Sequence, residues 1–162
     1  MSGGHLSRTP VFEAFPESTI QYVERELGAV LPRDYKRFMV SSNGAIFDPP
    51  ASFSYEDKDT GEIIEDYVGI LFGLAEMPLE NELLSSQIGY DFNERVPNGV
   101  IAIGVTTSGS GIATSLRDKD FGVIYVWDPL EAWVEENVRS MDDMTVVAPS
   151  FSAFLDTLEQ DE

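Results

Sequence analysis

The hydrophobic period of this chain changes at Asn43-Gly44, and that change limits the folds open to it. Upstream, apolar residues recur three and four apart, the spacing of one helix face. Ser18 caps a first helix, with Gln21 completing a capping box, and Ile20, Val23 and Leu27 follow on one face. Glu24, Arg25 and Glu26 face outward, and Gly28 suits the left-handed position that ends a helix. Leu31-Pro32 then opens a second helix. Tyr35, Phe38 and Met39 form its apolar face, with Arg33, Lys36 and Arg37 off that face. Asn43-Gly44 stops it and turns the chain into extended structure.

Downstream the pattern is that of strands. Ala45 to Phe47 and Ser52 to Tyr55 are short candidates separated by Pro49-Pro50, and Asp59-Thr60-Gly61 is a turn leading to Ile63-Ile64. YVGILFGL (67–74) is apolar enough for a buried strand, and Pro78 to Ile88 carries leucines at helical spacing. VIAIG (100–104), IATSL (112–116) and VIYVW (123–127) follow, the last two joined as an antiparallel pair across the polar turn RDKDFG. Met144 to Val147 adds an edge strand, and Ser150 caps a last helix bearing Phe151, Phe154, Leu155 and Leu158. The order predicts an α+β fold: an N-terminal helix pair, a central mixed or mostly antiparallel sheet with an inserted helix, and a closing C-terminal helix. At 162 residues the expectation is one domain over residues 15–160, preceded by a flexible arm over residues 1–14.

Charge narrows the partners. Asp and Glu number 29 against 10 Lys and Arg, a net charge of −19. Such a chain is repelled by phosphate backbones and anionic membranes and drawn to cationic surfaces. A generally acidic proteome gives the same balance, so two accounts of the charge stand. The sign is uneven: residues 18–43 are nearly neutral, whereas Lys58 is the only basic residue between Gly44 and Glu94. No run of apolar residues is long enough for a membrane-spanning helix, and MSGGHLSRTP lacks the apolar core of a signal peptide, so the expected location is cytoplasmic.

Scarcity removes much of catalysis. With no cysteine there is no thiol nucleophile or thiolate metal site. The only histidine is His5, in a segment without periodicity, so a histidine base or metal site has no other candidate. SGSG (108–111) lacks the Gly-Lys-Ser/Thr ending of a phosphate loop and precedes an extended segment, which makes it a hairpin turn. EDKDTGE (56–62) places Gly61 where a calcium loop needs glycine. Lys58 and Tyr67, however, occupy ligand positions, and a solvated hairpin tip fits better. Trp127 and Trp133 could stack on bases, but the basic residues that would grip the backbone are missing. Two close carboxylates for glycoside hydrolysis remain open in a chain with so many acids. No cofactor is implied.

STIQYVERELGAVLPRDYKRFMVSSNGAIF (18–47) resembles the signature of the SUKH superfamily, which includes a yeast regulator of cell-wall synthesis and many bacterial immunity proteins. The residues that carry it are Glu24, Leu27 and Gly28, then Leu31, Pro32, Asp34 and Tyr35, then Phe38 and Met39, and finally Asn43 and Gly44. Phe72-Gly73, VIAIG, the Gly-rich loop, VIYVWD and the Ser150 helix continue the likeness across residues 15–158. Two features depart from it. Ile112 stands after the Gly-rich loop where members often have an acid, and an acidic hairpin around residues 56–66 looks inserted.

The resemblance implies a compact α+β domain that acts by binding, without catalysis. Combined with the charge, it predicts an intracellular immunity protein that blocks a cationic toxin, such as a nuclease, through Glu56, Asp57, Asp59, Glu62, Glu65 and Asp66. A regulatory or scaffold protein with a non-toxin partner is the alternative.

Overall fold

The structure is a computed structural model that describes residues 8–9, 20–21, 24–25, 28–42, 44–72, 99–127 and 144–160. Among the described residues, seven strands form one sheet: β1 (Arg8–Thr9), β2 (Ala45–Glu56), β3 (Ile63–Leu71), β4 (Val100–Thr106), β5 (Gly111–Ser115), β6 (Ile124–Trp127) and β7 (Thr145–Ala148). Each pairs with its neighbours in sequence, and every described pairing is antiparallel. The sheet expected to be mixed or mostly antiparallel is thus an antiparallel meander in its described pairings. Short turns close β2–β3 and β4–β5, whereas parallel neighbours need a crossover of about a dozen residues.

Two helices with complete ranges lie with the sheet among the described residues, α1 (Arg33–Ser42) and α2 (Phe151–Thr157), so the α+β expectation holds. The expected N-terminal helix pair is described only in its second member. Of the first, Ile20, Gln21, Glu24 and Arg25 are helical, while Val23 and Leu27 lie outside the described residues. The inserted helix expected over residues 78–88 also lies outside them. Within the segment expected to be a flexible arm, Arg8 and Thr9 pair with Phe47 and Ile46 as an edge strand. The Arg8 guanidinium sits 5.3 Å from the centre of the Phe38 ring.

β2 corrects a second expectation. Two strands broken at Pro49-Pro50 are instead one strand running through them. Proline cannot donate to a ladder, but here the pairing with β3 jumps from Ile46 to Ala51, and the prolines lie exposed in that irregularity. Alternation survives the interruption. Ala45, Phe47, Ala51 and Phe53 are buried while Ile46, Asp48 and Ser54 are exposed.

α1 and α2 cover one face of the sheet. Tyr35, Phe38, Met39, Phe151, Phe154 and Leu158 pack there with Phe47, Phe53, Val68, Leu71, Ile103, Ile112 and Ile124. Phe151 is the hub, its ring centre 5.1 Å from Tyr35 and 5.0 Å from Phe38. Burying a side chain of this size contributes about 1.5–3 kcal/mol. A second buried cluster, Phe72, Val100, Ala102, Ala113, Tyr125, Trp127 and Met144, lies on the other face, so β4 and β5 are inner strands buried on both sides. Close contact there requires glycine at Gly104, where a Cβ would come within 2.7 Å of the Ile70 carbonyl oxygen. Gly111 lies against the Trp127 ring, which leaves no room for a side chain.

The residues after α2 return to the sheet. Ser52 and Glu159 exchange backbone hydrogen bonds, and the Gln160 amide donates to the Pro49 carbonyl at 2.6 Å. β2 and β7 also approach each other, so the sheet curls around the helical face.

Candidate functional site

The β2–β3 hairpin carries all six acids expected to bind a partner. Its turn is built by Asp57. One carboxylate oxygen accepts from the backbone N–H of Asp59 at 2.8 Å and of Thr60 at 3.0 Å. The Asp57 N–H donates to the Glu62 carbonyl, the Gly61 N–H donates to Asp57, and Gly61 takes a φ of 76°. The N–H groups of Asp59 and then Thr60 hold the Asp57 carboxyl below its usual range, so it stays ionised into mild acid. Among the described residues no group of three potential ligands could hold a metal.

Strand parity divides the acids. Glu56 pairs with Ile63 and Ser54 with Glu65, which puts Glu56, Ile63 and Glu65 on the outer face. All three are exposed, as are Asp59 and Glu62 at the tip. Asp66 pairs with Phe53 on the inner face and is 7% exposed. One of its oxygens accepts from the Ser108 hydroxyl at 2.7 Å, the other from the Tyr67 N–H at 2.8 Å. Asp66 thus pins the Gly-rich loop to β3, and the structure does not bring it together with its five neighbours. It does act at a distance: burial, followed by the charges of Asp66 and Asp57, raises the Tyr55 hydroxyl above its ordinary value.

Sequence reading missed Ile63, which is 70% exposed amid these carboxylates. The signal was present in Ile63-Ile64, since alternation in a half-buried strand forbids burying both.

In the SGSG loop two backbone N–H groups that a phosphate would need are already spent inside the turn. Gly109 donates to the Thr106 carbonyl at 3.1 Å, and Ser110 to the Thr106 hydroxyl at 3.0 Å, closing a hairpin turn. In the next turn, the 3-10 segment Asp118–Asp120, Asp120 gathers four donors. One oxygen accepts from the Ser115 hydroxyl and from Arg117 Nε at 3.1 Å, the other from Arg117 Nη2 and the Tyr125 hydroxyl. Burial alone would raise the Asp120 carboxyl, but Arg117, Ser115 and Tyr125 outweigh it and hold Asp120 well below the carboxylate range. Burial and the same bond push Tyr125 up to about 12.

The signature residues of the helical segment are joints of the fold. Gly28, at φ 69°, donates to the Glu24 carbonyl and ends the first helical stretch. Glu24 Oε2 accepts from the Leu31 N–H at 2.8 Å and lies 3.2 Å from Lys36 Nζ. Leu31 is buried, and the Pro32 carbonyl accepts from the Lys36 N–H. Asp34 accepts from the N–H of Tyr35 at 2.8 Å with one oxygen and from the N–H of Ser152 at 2.9 Å with the other. It therefore joins α1 to the first turn of α2. Gly44, at φ 86°, turns the chain out of α1, its carbonyl accepting from Ser42 Oγ at 2.7 Å. Leu27 and Asn43 lie outside the described residues.

These joints, the curled antiparallel sheet and the closing helix define an α+β domain with the landmarks of the SUKH superfamily. Residues 15–157 match the model of the SMI1 / KNR4 family (SUKH-1), and the chain belongs to that family. No curated protein matches the chain.

Proposed function

We propose that this chain is an immunity protein that binds a cationic toxin, a nuclease being the best fit, and blocks it without catalysis. The observation that carries the reading is the outer face of the β2–β3 hairpin, where Ile63 stands exposed among Glu56, Asp59, Glu62 and Glu65. An apolar anchor ringed by carboxylates suits a surface that is apolar at its centre and basic at its rim, as a protein that grips phosphates presents. The net charge of −19 adds long-range attraction to such a surface and speeds encounter. Membership of the SMI1 / KNR4 family supports action through protein–protein contact. Asp66 contributes here by fixing the strand that carries the anchor.

The test begins with capture of partners from the native host on the immobilised chain at low and at high salt. The recovered protein is then expressed in a heterologous cell with and without this chain. A basic protein whose expression kills alone but not alongside the chain is the expected result. Recovery of a harmless cellular protein would instead assign the chain to the regulatory branch of the family.

A further inference from the structure

We infer that the outer side of α1 is a second docking surface, independent of the hairpin, which takes an acidic amphipathic segment of a partner protein. A cavity of about 450 Å³ lies there, lined by Ile20, Arg33, Lys36, Arg37, Val40 and Ser41. Its volume falls in the range of about 300–1,000 Å³ typical of ligand sites. The lining has a pattern: Ile20 and Val40 are apolar, and three cations stand around them.

The state of those cations points to the occupant. Lys36 is held by Glu24 at 3.2 Å. Arg33 and Arg37 are exposed, and neither forms an ion pair among the described residues. The chain has 29 acids for 10 bases, so acids to neutralise them are plentiful. Instead the two arginines stand four apart on one helix face, where like charges repel. A guanidinium fork takes a carboxylate through two parallel hydrogen bonds, which a lone lysine cannot do.

The complementary ligand carries two carboxylates one helical turn apart and an apolar side chain between them. An acidic helix laid in the groove has that form. A nucleic acid fits less well, because a net charge of −19 repels a long polyanion along its whole length. A short acidic segment meets only the local field, since screening acts over about 8 Å at physiological ionic strength.

A random dodecapeptide library displayed on phage, selected on the intact chain and counter-selected on the Arg33→Glu/Arg37→Glu variant, tests this directly. Both positions are exposed, so the variant should melt with the wild type. Enrichment of peptides with Asp or Glu four apart around an apolar residue is expected. A labelled copy of the leading peptide should bind the charge-reversed variant at least tenfold more weakly by fluorescence anisotropy. It should bind a variant with Glu56→Gln, Asp59→Asn, Glu62→Gln and Glu65→Gln in the hairpin as it binds the wild type, which separates this surface from the proposed toxin site. Selection without acidic enrichment, or binding that survives charge reversal, would overturn the assignment. So would a salt-sensitive dimer in sedimentation velocity that the double variant abolishes, because the groove would then hold a second copy of the chain.

Discussion

Acidic residues do opposite work in the two halves of this molecule. In the helical segment Glu24 and Asp34 accept from backbone N–H groups that would otherwise lack a partner, Glu24 from Leu31 and Asp34 from Tyr35 and Ser152. In the β2–β3 hairpin Glu56, Asp59, Glu62 and Glu65 face outward. The former are joints; the latter are surface. A carboxylate's residue type therefore says little, and which backbone donors lie within reach says nearly everything.

Substitutions put that contrast to the test, and the largest effect belongs to the helical side. Phe151→Ala removes the ring that joins Tyr35 and Phe38 to α2 and should cost about 3–5 kcal/mol in denaturant unfolding. Adjacent acids give a sharper version of the comparison. Asp66→Ala deletes the buried acceptor of Ser108 and should cost about 2 kcal/mol, whereas Glu65→Ala should change stability by less than about 0.5 kcal/mol. Equal effects at the two positions would show that strand parity does not divide the hairpin. Asp34→Ala frees the Ser152 N–H at the start of α2 and should cost about 1 kcal/mol.

The Asp120 network extends the comparison to pH. Asp120 is depressed in the folded state, so its contribution is complete above about pH 4 and is lost as the pH falls. Tyr125 is raised, so its contribution is complete below about pH 10 and is lost as the pH climbs toward 12. Tyr125→Phe should shrink the alkaline limb, to which the raised Tyr55 and Tyr35 also contribute, and shift the acid limb toward higher pH in thermal melts across that range. Unchanged limbs would mean that the network does not couple to folding.

Much of the framework could be read from residue order. The period change at Gly44, the Ser150 cap and the buried VIAIG and VIYVW segments all became the elements they predict, because each depends on local spacing. What escaped depends on long-range partners. Nothing near Asp34 in the sequence reveals that its second oxygen reaches Ser152. The unbroken β2 depends on a pairing irregularity with β3 that tolerates Pro49-Pro50. At the candidate site, the acidity and the hairpin were legible. The burial of Asp66 required the register that sets it opposite Phe53, and the exposure of Ile63 required knowing which face is covered.

The smallest effect on stability should accompany the largest on binding. A chain carrying Glu56→Gln, Asp59→Asn, Glu62→Gln and Glu65→Gln, with the turn-building Asp57 left in place, should remain folded, with a melting temperature near that of the wild type. The most direct test measures association of that variant and the wild type with the captured basic protein, by stopped flow from low to high salt. The neutralised chain should show an on-rate at least tenfold lower at low salt, with a flattened salt dependence. Wild-type on-rates and salt dependence in the neutralised chain would contradict the hairpin assignment and place the partner on another face.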